Sequence, residues 1–352
     1  MTYRGSFFRN ALPITTLALL LALLGGTAFA QEKPLSERFA ERLNPTVCIW
    51  DIVGRSGPIF TAAQDQATLF LEHGIHVKLV PYTDERVMVE TLKAGLCDAA
   101  LMTGMRARLF NQYTGTIDSI GGLPTEEHLR TLLQVLADPR SAPHMTQGEY
   151  VVLGIAPAGG AYIFVNDRRI NTLGKAAGKK VAVLDYDPVQ AEMVADLGAT
   201  PVPTDIVNAP NMFNNGVVDV LAAPLAAYPV MELYKGMGDD GGIIDYPLAQ
   251  ISLQLVGHKE RFPPDLAQLS RELFYKSFED FLARVHRETE GVPQHWFVDI
   301  PEQDKREYEV MMREARIELE RRGYYSAEML ALQKRIRCKL DNTRAECSDV
   351  GE

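Results

Sequence analysis

What this chain has little of narrows its chemistry first. Its 352 residues include two tryptophans, four cysteines and seven histidines. No two cysteines stand as C-x-x-C, and His73 and His76 form an H-x-x-H with no third ligand beside them, so a metal site is a weak reading. Gly54-Arg55-Ser56-Gly57 lacks the G-x-S-x-G spacing and a histidine partner, which argues against a nucleophilic serine. The glycine-rich stretches fit neither the P-loop nor the dinucleotide fingerprint. Basic residues are short as well: 36 Lys and Arg face 46 Asp and Glu, a formal charge of −10 with no basic cluster. Nucleic-acid binding rests on phosphate contacts, so it is disfavoured. The expectation is a binding protein, neither an enzyme nor a cofactor carrier.

Long apolar runs are also scarce, and the one that exists is an export leader. Arg4 and Arg9 precede the apolar stretch Leu12–Leu24, and Ala28-Phe29-Ala30 follows as a small-residue cleavage site. The apolar stretch is about a dozen residues, below the roughly 20 that span a bilayer. Cleavage after Ala30 is expected, with no cysteine behind the run to take a lipid. The remaining 322 residues then carry a charge of −12 and are expected in the periplasm, without membrane insertion and as a monomer.

What is present is a pattern stated twice. Asp84 is followed by Gly95 and Asp98, and Asp205 by Gly216 and Asp219 at the same spacings, with Thr83 and Thr204 ahead of each leading Asp. Upstream, Pro58 opens an apolar-periodic stretch that ends at Gly74, and Pro188 opens one that ends at Gly198. Pro suits a first helical turn and Gly the left-handed exit. Before these lie the strand-like runs Val47–Ile52 and Val181–Leu184, with Asp51 and Asp185 at their ends. Each copy reads as strand, helix, strand, helix, strand, which implies parallel sheets covered on both faces. Two such units make two lobes with a cleft between them.

In an oxidising compartment the four cysteines are expected as two disulfides. Cys48 begins the first strand and Cys97 immediately precedes the third, which are neighbours in a doubly wound sheet. Cys338 and Cys347 would then close a small loop. Glu149–Pro157 and Ala161–Val165 read as two strands separated by Ala158-Gly159-Gly160, a crossing between lobes, and Gln250–Gly257 as a returning strand. Crossings near Gly159–Tyr162 and Gln250–Gly257 are the expected hinges. Gly236–Gly242 reads as a loop. From Pro264 a helical tail follows, without a persistent heptad.

Several strings resemble a known family. Gly178-Lys179-Lys180-Val181-Ala182-Val183, Leu197–Pro203 and Gly216-Val217-Val218-Asp219 resemble the solute-binding proteins of TRAP transporters. The strings Thr83–Val87, Cys97–Ala99 and Met102–Arg108 are similar to the AdeT-like branch, whose members are sometimes labelled efflux components. The resemblance implies an α/β, two-lobed, type II-like periplasmic binding protein, with two doubly wound sheets, a central cleft and a long helical C-terminal tail. On that reading, residues 1–30 are the leader and 45–157 the first lobe, completed by 250–262. Residues 158–249 are the second lobe, and 263–352 pack on both. The implied role is capture of a small solute for TRAP-type permease subunits; the alternative is a ligand-free adaptor of an efflux complex.

The family's carboxylate-gripping Arg falls at Ala182, and a second polar position at Ala223. The wall is expected to include Asp51, Arg55, Ser56, Thr83, Thr103 and Arg106 on one side, with Tyr162, Asp185, Tyr186, Thr204 and Tyr228 on the other. Two ligand classes stay open. An anion would be held by Arg106 with Arg55 and the backbone N–H groups near Ser56–Ile59, at a helix start. A less charged or cationic solute would meet Asp51, Asp185, Tyr162, Tyr186 and Tyr228.

Overall fold

The computed structural model describes residues 44–348, with Met1 and Thr2; the remaining leader positions lie outside the described residues. The first unit is β1 (Thr46–Trp50), α1 (Pro58–Glu72), β2 (Lys78–Tyr82), α2 (Glu85–Lys93) and β3 (Ala99–Thr103). Then come α3 (Glu126–Ala137), β4 (Thr146–Gln147) and β5 (Tyr150–Val165). The second unit is β6 (Lys180–Leu184), α4 (Pro188–Asp196), β7 (Thr200–Thr204), α5 (Ala209–Asn214) and β8 (Val220–Pro224). The chain returns through β9 (Gly242–His258) and ends in α6 (Pro264–Lys276), α7 (Phe278–Thr289), β10 (Phe297–Val298), α8 (Glu302–Arg321) and α9 (Ala327–Leu340).

The doubled Asp–Gly–Asp spacing has a physical cause that is the same in both copies. Asp84 caps α2, its carboxylate accepting from the Val87 N–H at 3.1 Å. Gly95, at φ +71, turns the chain out of the helix, a conformation that costs a side chain dearly. Asp98 then accepts from the N–H of Thr46, where β1 begins, at 2.8 Å. In the second copy Asp205 accepts from Val207 and Asn208 N–H at 2.9 and 2.8 Å. Gly216 makes the same left-handed exit at φ +69. Asp219 accepts from the N–H of Lys180, where β6 begins, at 2.8 Å. Each closing Asp therefore ties the start of its unit's third strand to the start of its first.

The strand order is β2-β1-β3-β9-β5-β8-β6-β7. Each unit is parallel, and β5 and β9 run antiparallel between the two. These two strands, 16 and 17 residues long, belong to both lobes, so the two sheets are joined without a gap. The sequence reading placed a break at Ala158–Gly160. The structure instead keeps one strand, because Gly159 takes φ +88 as a bulge and the ladder resumes with Gly159 opposite Ile251 and Gly160 opposite Gln250. Further register shifts fall at Val152/Gly154 and Ala161/Ile163. A bulge bends a strand without ending it. The stretch read as a loop at Gly236–Gly242 overlaps a one-turn helix, Tyr234–Met237, and the first residue of β9.

Among the described residues, the tail is built mainly of four α-helices, α6 to α9. Leu266, Phe274, Met329 and Ile336 enter the core of the first unit beside Ile49, Met102 and Val152. Tyr308 and Met312 of α8 instead pack on Val165, Val220 and Ile244 of the second. Cys48 is bonded to Cys97 and Cys338 to Cys347, the expected pairs, with Cα atoms 5.9 and 5.6 Å apart. Beside the second bridge, the buried Arg337 donates to both oxygens of Glu346 at 2.8 and 2.7 Å and to the Gly122 carbonyl at 2.8 Å. Burial pushes the Glu346 carboxyl up, but the hydrogen bonds from Arg337 and Arg344 outweigh it and hold the group at about 2.

Candidate functional site

One continuous cavity of about 800 Å³ takes its walls from both lobes. The carboxyl ends of β1 and β3 contribute Trp50, Asp51, Thr103 and Met105, and those of β6, β7 and β8 contribute Leu184, Thr204 and Ala223. Ala158, Ala161 and Ile251, from the middle of β5 and β9, complete the centre. Open α/β sheets place ligands at these strand ends.

Of the residues read from the sequence, Asp51, Thr103 and Thr204 line this cavity. Asp51 is 1 % exposed, and its carboxylate accepts from the N–H groups of Val53 and Phe60, both at 2.9 Å. It caps the start of α1, and a Cβ on Gly57 would lie 1.9 Å from it, so that position is closed to a side chain. Thr103 caps the one-turn helix Gly104–Ala107 through the Arg106 N–H, at 3.3 Å. Arg55, Ser56, Thr83 and Asp185 are exposed. The Arg55 guanidinium lies 5.4 Å from the Phe60 ring, a cation–π distance. Tyr228 is buried in the second-lobe core beside Tyr234, and Tyr162 packs edge-on to Phe297 at 6.4 Å.

Arg106 and Tyr186 meet across the cleft. The guanidinium carbon stands 3.5 Å from the centre of the Tyr186 ring, and its Nε is 3.6 Å from the buried Glu85. Burial raises the Glu85 carboxyl, against the opposing pull of the Thr103 N–H and of Arg106. Burial also pushes the Tyr186 hydroxyl up. Gln190 Nε2 reaches Met105 Sδ between the same faces at 4.0 Å, and Arg322, just past α8 in the tail, pairs with Glu192 of α4.

Residues 47–352 match the family described as "Solute-binding protein AdeT 1/2". "Probable solute-binding protein AdeT1" of Acinetobacter baumannii is 39% identical over 300 residues, covering 85% of this chain and 99% of the relative. "Probable solute-binding protein AdeT2" of the same organism is 28% identical over 233 residues, 66% of this chain and 98% of the relative. The chain belongs to the AdeT 1/2 solute-binding protein family. Its fold is that of the TRAP periplasmic solute-binding proteins. One from Desulfovibrio salexigens, with bound orotic acid, superposes at TM-score 0.70 with 15% identity, over 85% of this chain and 99% of that one. One from Haemophilus influenzae, with bound L-gulonate, superposes at 0.68 with 11% identity, over 83% and 99%. The efflux-adaptor alternative finds no support among these matches.

In this AdeT-type chain Ala182 and Ala223 both line the cavity, as buried methyl groups where the resemblance places polar ones. Sequence reasoning missed a second cluster on the first-lobe side. The Arg108 guanidinium donates to the Gly115 carbonyl at 3.2 and 3.1 Å and lies 4.3 Å over the Tyr324 ring and 5.2 Å from Tyr325. Asp118 is buried behind it, its carboxyl held by the Ser252 hydroxyl at 2.6 Å and N–H at 3.2 Å. Burial outweighs those bonds and the Arg108 charge and pushes Asp118 up to about 7. The signals available were Arg108, read from the sequence as an alternative anion grip at the end of the string Met102–Arg108, and the aromatic pair Tyr324-Tyr325 directly behind the helix stop at Gly323.

Proposed function

We propose that the chain is exported, its leader removed after Ala30, and that it captures a small solute between its lobes in the periplasm for a TRAP-type permease. The observation that carries this is the cavity built from strand ends of both lobes, with Arg106 and Tyr186, which are not among its lining residues, touching between the lobes. Such a contact forms only when the lobes are together, as in domain closure around a ligand. No helix among the described residues is long and apolar enough to cross a membrane. The bound small acids of the fold relatives lend support to a solute of metabolite size.

On this reading the first lobe spans 45–157 with 250–262, the second 158–249, and the bulge at Gly159 opposite Ile251 is the hinge. Asp51, Thr103 and Thr204 form wall, and Arg106 with Tyr186 acts as a clasp between lobes. The role is delivery without catalysis, and the protein works as a monomer. Mass spectrometry of the purified chain under non-denaturing conditions is expected to show a carried solute. Stripping the solute should enlarge the radius of gyration seen by small-angle scattering. No solute together with an unchanged radius would reject capture.

A further inference from the structure

We propose that the solute is a monocarboxylate with an apolar body, and that Arg108 of the first lobe receives its charge. This rests on the capture reading above and names the ligand class of the same cavity. The first ground is a cation left without a counter-ion. Three arginines line the cavity, with no lysine and no histidine among the described residues. Arg284 pairs with Asp65 and Arg322 with Glu192, whereas Arg108 forms no ion pair. Its Nε and Nη2 donate to the neutral Gly115 carbonyl, and its Nη1 donates to nothing and keeps accessible surface. The buried carboxylates of the wall are already met. Asp51 accepts from two N–H groups, Asp118 from Ser252, and Asp187 from the Gln190 N–H at 3.2 Å. Burial also raises the Asp118 carboxyl, so a proton can quench its charge beside an incoming anion. A carboxylate thus gains a charged donor here, and a cation finds no unanswered buried acceptor. Arg106, expected from the sequence to hold an anion, does not line the cavity, and its Nε is sealed from it.

The second ground is that this guanidinium is fixed before any ligand arrives. A Cβ on Gly115 would stand 2.4 Å from the Arg108 Cα, so only glycine lets that carbonyl come so close. The carbonyl anchors one edge of the fork, and the Tyr324 ring lies 4.3 Å from its central carbon. The Nη1 edge is what remains, and a planar guanidinium edge matches a planar carboxylate. The third ground is the body of the ligand. Ala158, Ala161, Ala182, Ala223 and Ile251 line the cavity and offer no side-chain hydrogen bond. The hydroxyls of a sugar acid would lie unpaired against them, and a second carboxylate would find no second unpaired arginine. An apolar body meets neither penalty.

The test uses the mature chain, stripped of solute, in calorimetric titrations. Three probes share one body: 4-phenylbutyrate, its methyl ester and 4-phenylbutylamine. The acid is expected to bind about tenfold or more tightly than the other two, and than glucuronate or succinate. Arg108→Gln, checked for unchanged melting, should weaken the acid roughly ten- to hundredfold while the ester changes little. Arg108→Lys should recover part of that loss. Equal binding of acid and ester by the native chain, a comparison that needs no variant to fold, overturns the inference. So does a folded Arg108→Gln chain that still prefers the acid. Tightest binding by glucuronate, succinate or the amine overturns it and leaves capture standing. If no probe binds, the solute carried through purification decides. A lone carboxylate on an apolar body upholds the inference, any other solute overturns it alone, and no solute at all removes both readings.

Discussion

Asp118→Asn should change how stability responds to pH, and the size of the change follows from where the carboxyl sits. Asp118 is 6 % exposed and is hydrogen-bonded by Ser252 of β9, beside Gly104, where a Cβ would stand 2.4 Å from its oxygen. The fold raises it from an ordinary 3.8 to about 7. Between those values the native chain holds a proton that the unfolded chain has released. Its stabilising effect is complete below about pH 4, fades as pH rises to about 7 and is constant beyond. A shift of that size is worth about 4 kcal/mol, at about 1.4 kcal/mol per unit. Asparagine keeps the shape and a hydrogen bond to Ser252 but does not titrate. Urea unfolding of both proteins at pH 5, 6, 7 and 8 tests this, because other titrating groups cancel in the difference. Relative to the variant, the native protein should lose about 3 kcal/mol between pH 5 and 8. Parallel profiles would refute the assignment.

Tyr186→Leu removes the ring that covers Arg106. A desolvated cation–π contact is worth about 2 kcal/mol, so the balance of closed to open forms should fall about thirtyfold. Scattering from the solute-free chain should then show a larger radius than native, and identical curves would mean that the contact does not hold the lobes together. Opening the Cys48–Cys97 bridge, which closes 49 residues, should cost about 4 kcal/mol, and opening Cys338–Cys347, which closes 9, about 3. Paired Cys→Ser variants in urea check this, and unchanged midpoints would count against a stabilising role.

The parts of the fold that were legible in the sequence are those fixed by local chemistry. Asp84, Gly95 and Asp98 each act within a turn or toward the adjacent strand, so their spacing recurs wherever the same unit recurs. The disulfides were readable for a related reason, since Cys48 lies on β1 and Cys97 just before its neighbour β3. Long strands interrupted by glycine were harder. Gly159 and Gly160 carry the composition of a turn, and only the partner strand β9 makes them a bulge. The site was least legible because its contacts join distant parts of the chain. Arg106 was read as a ligand hook, yet Glu85 and Tyr186 already meet it from α2 and from behind β6. Nothing local distinguishes Tyr186, which meets Arg106, from Tyr228, which packs in the core. Asp118 and Ser252 are 134 residues apart, and neither carries a motif.

The position of β9 has a consequence for the order in which the molecule assembles. Residue 99 pairs with 257, 150 with 258 and 165 with 242, so neither sheet is complete until this late segment arrives. A chain threaded across a membrane from its first residue would emerge with β3 and β5 presenting bare ladder edges for as long as residues 242–258 lag behind. Pairings so remote in sequence close slowly, and open edges invite other chains meanwhile. The step that joins the lobes is also the step that ends this exposure, which makes β9 the segment on which the yield of folded protein depends.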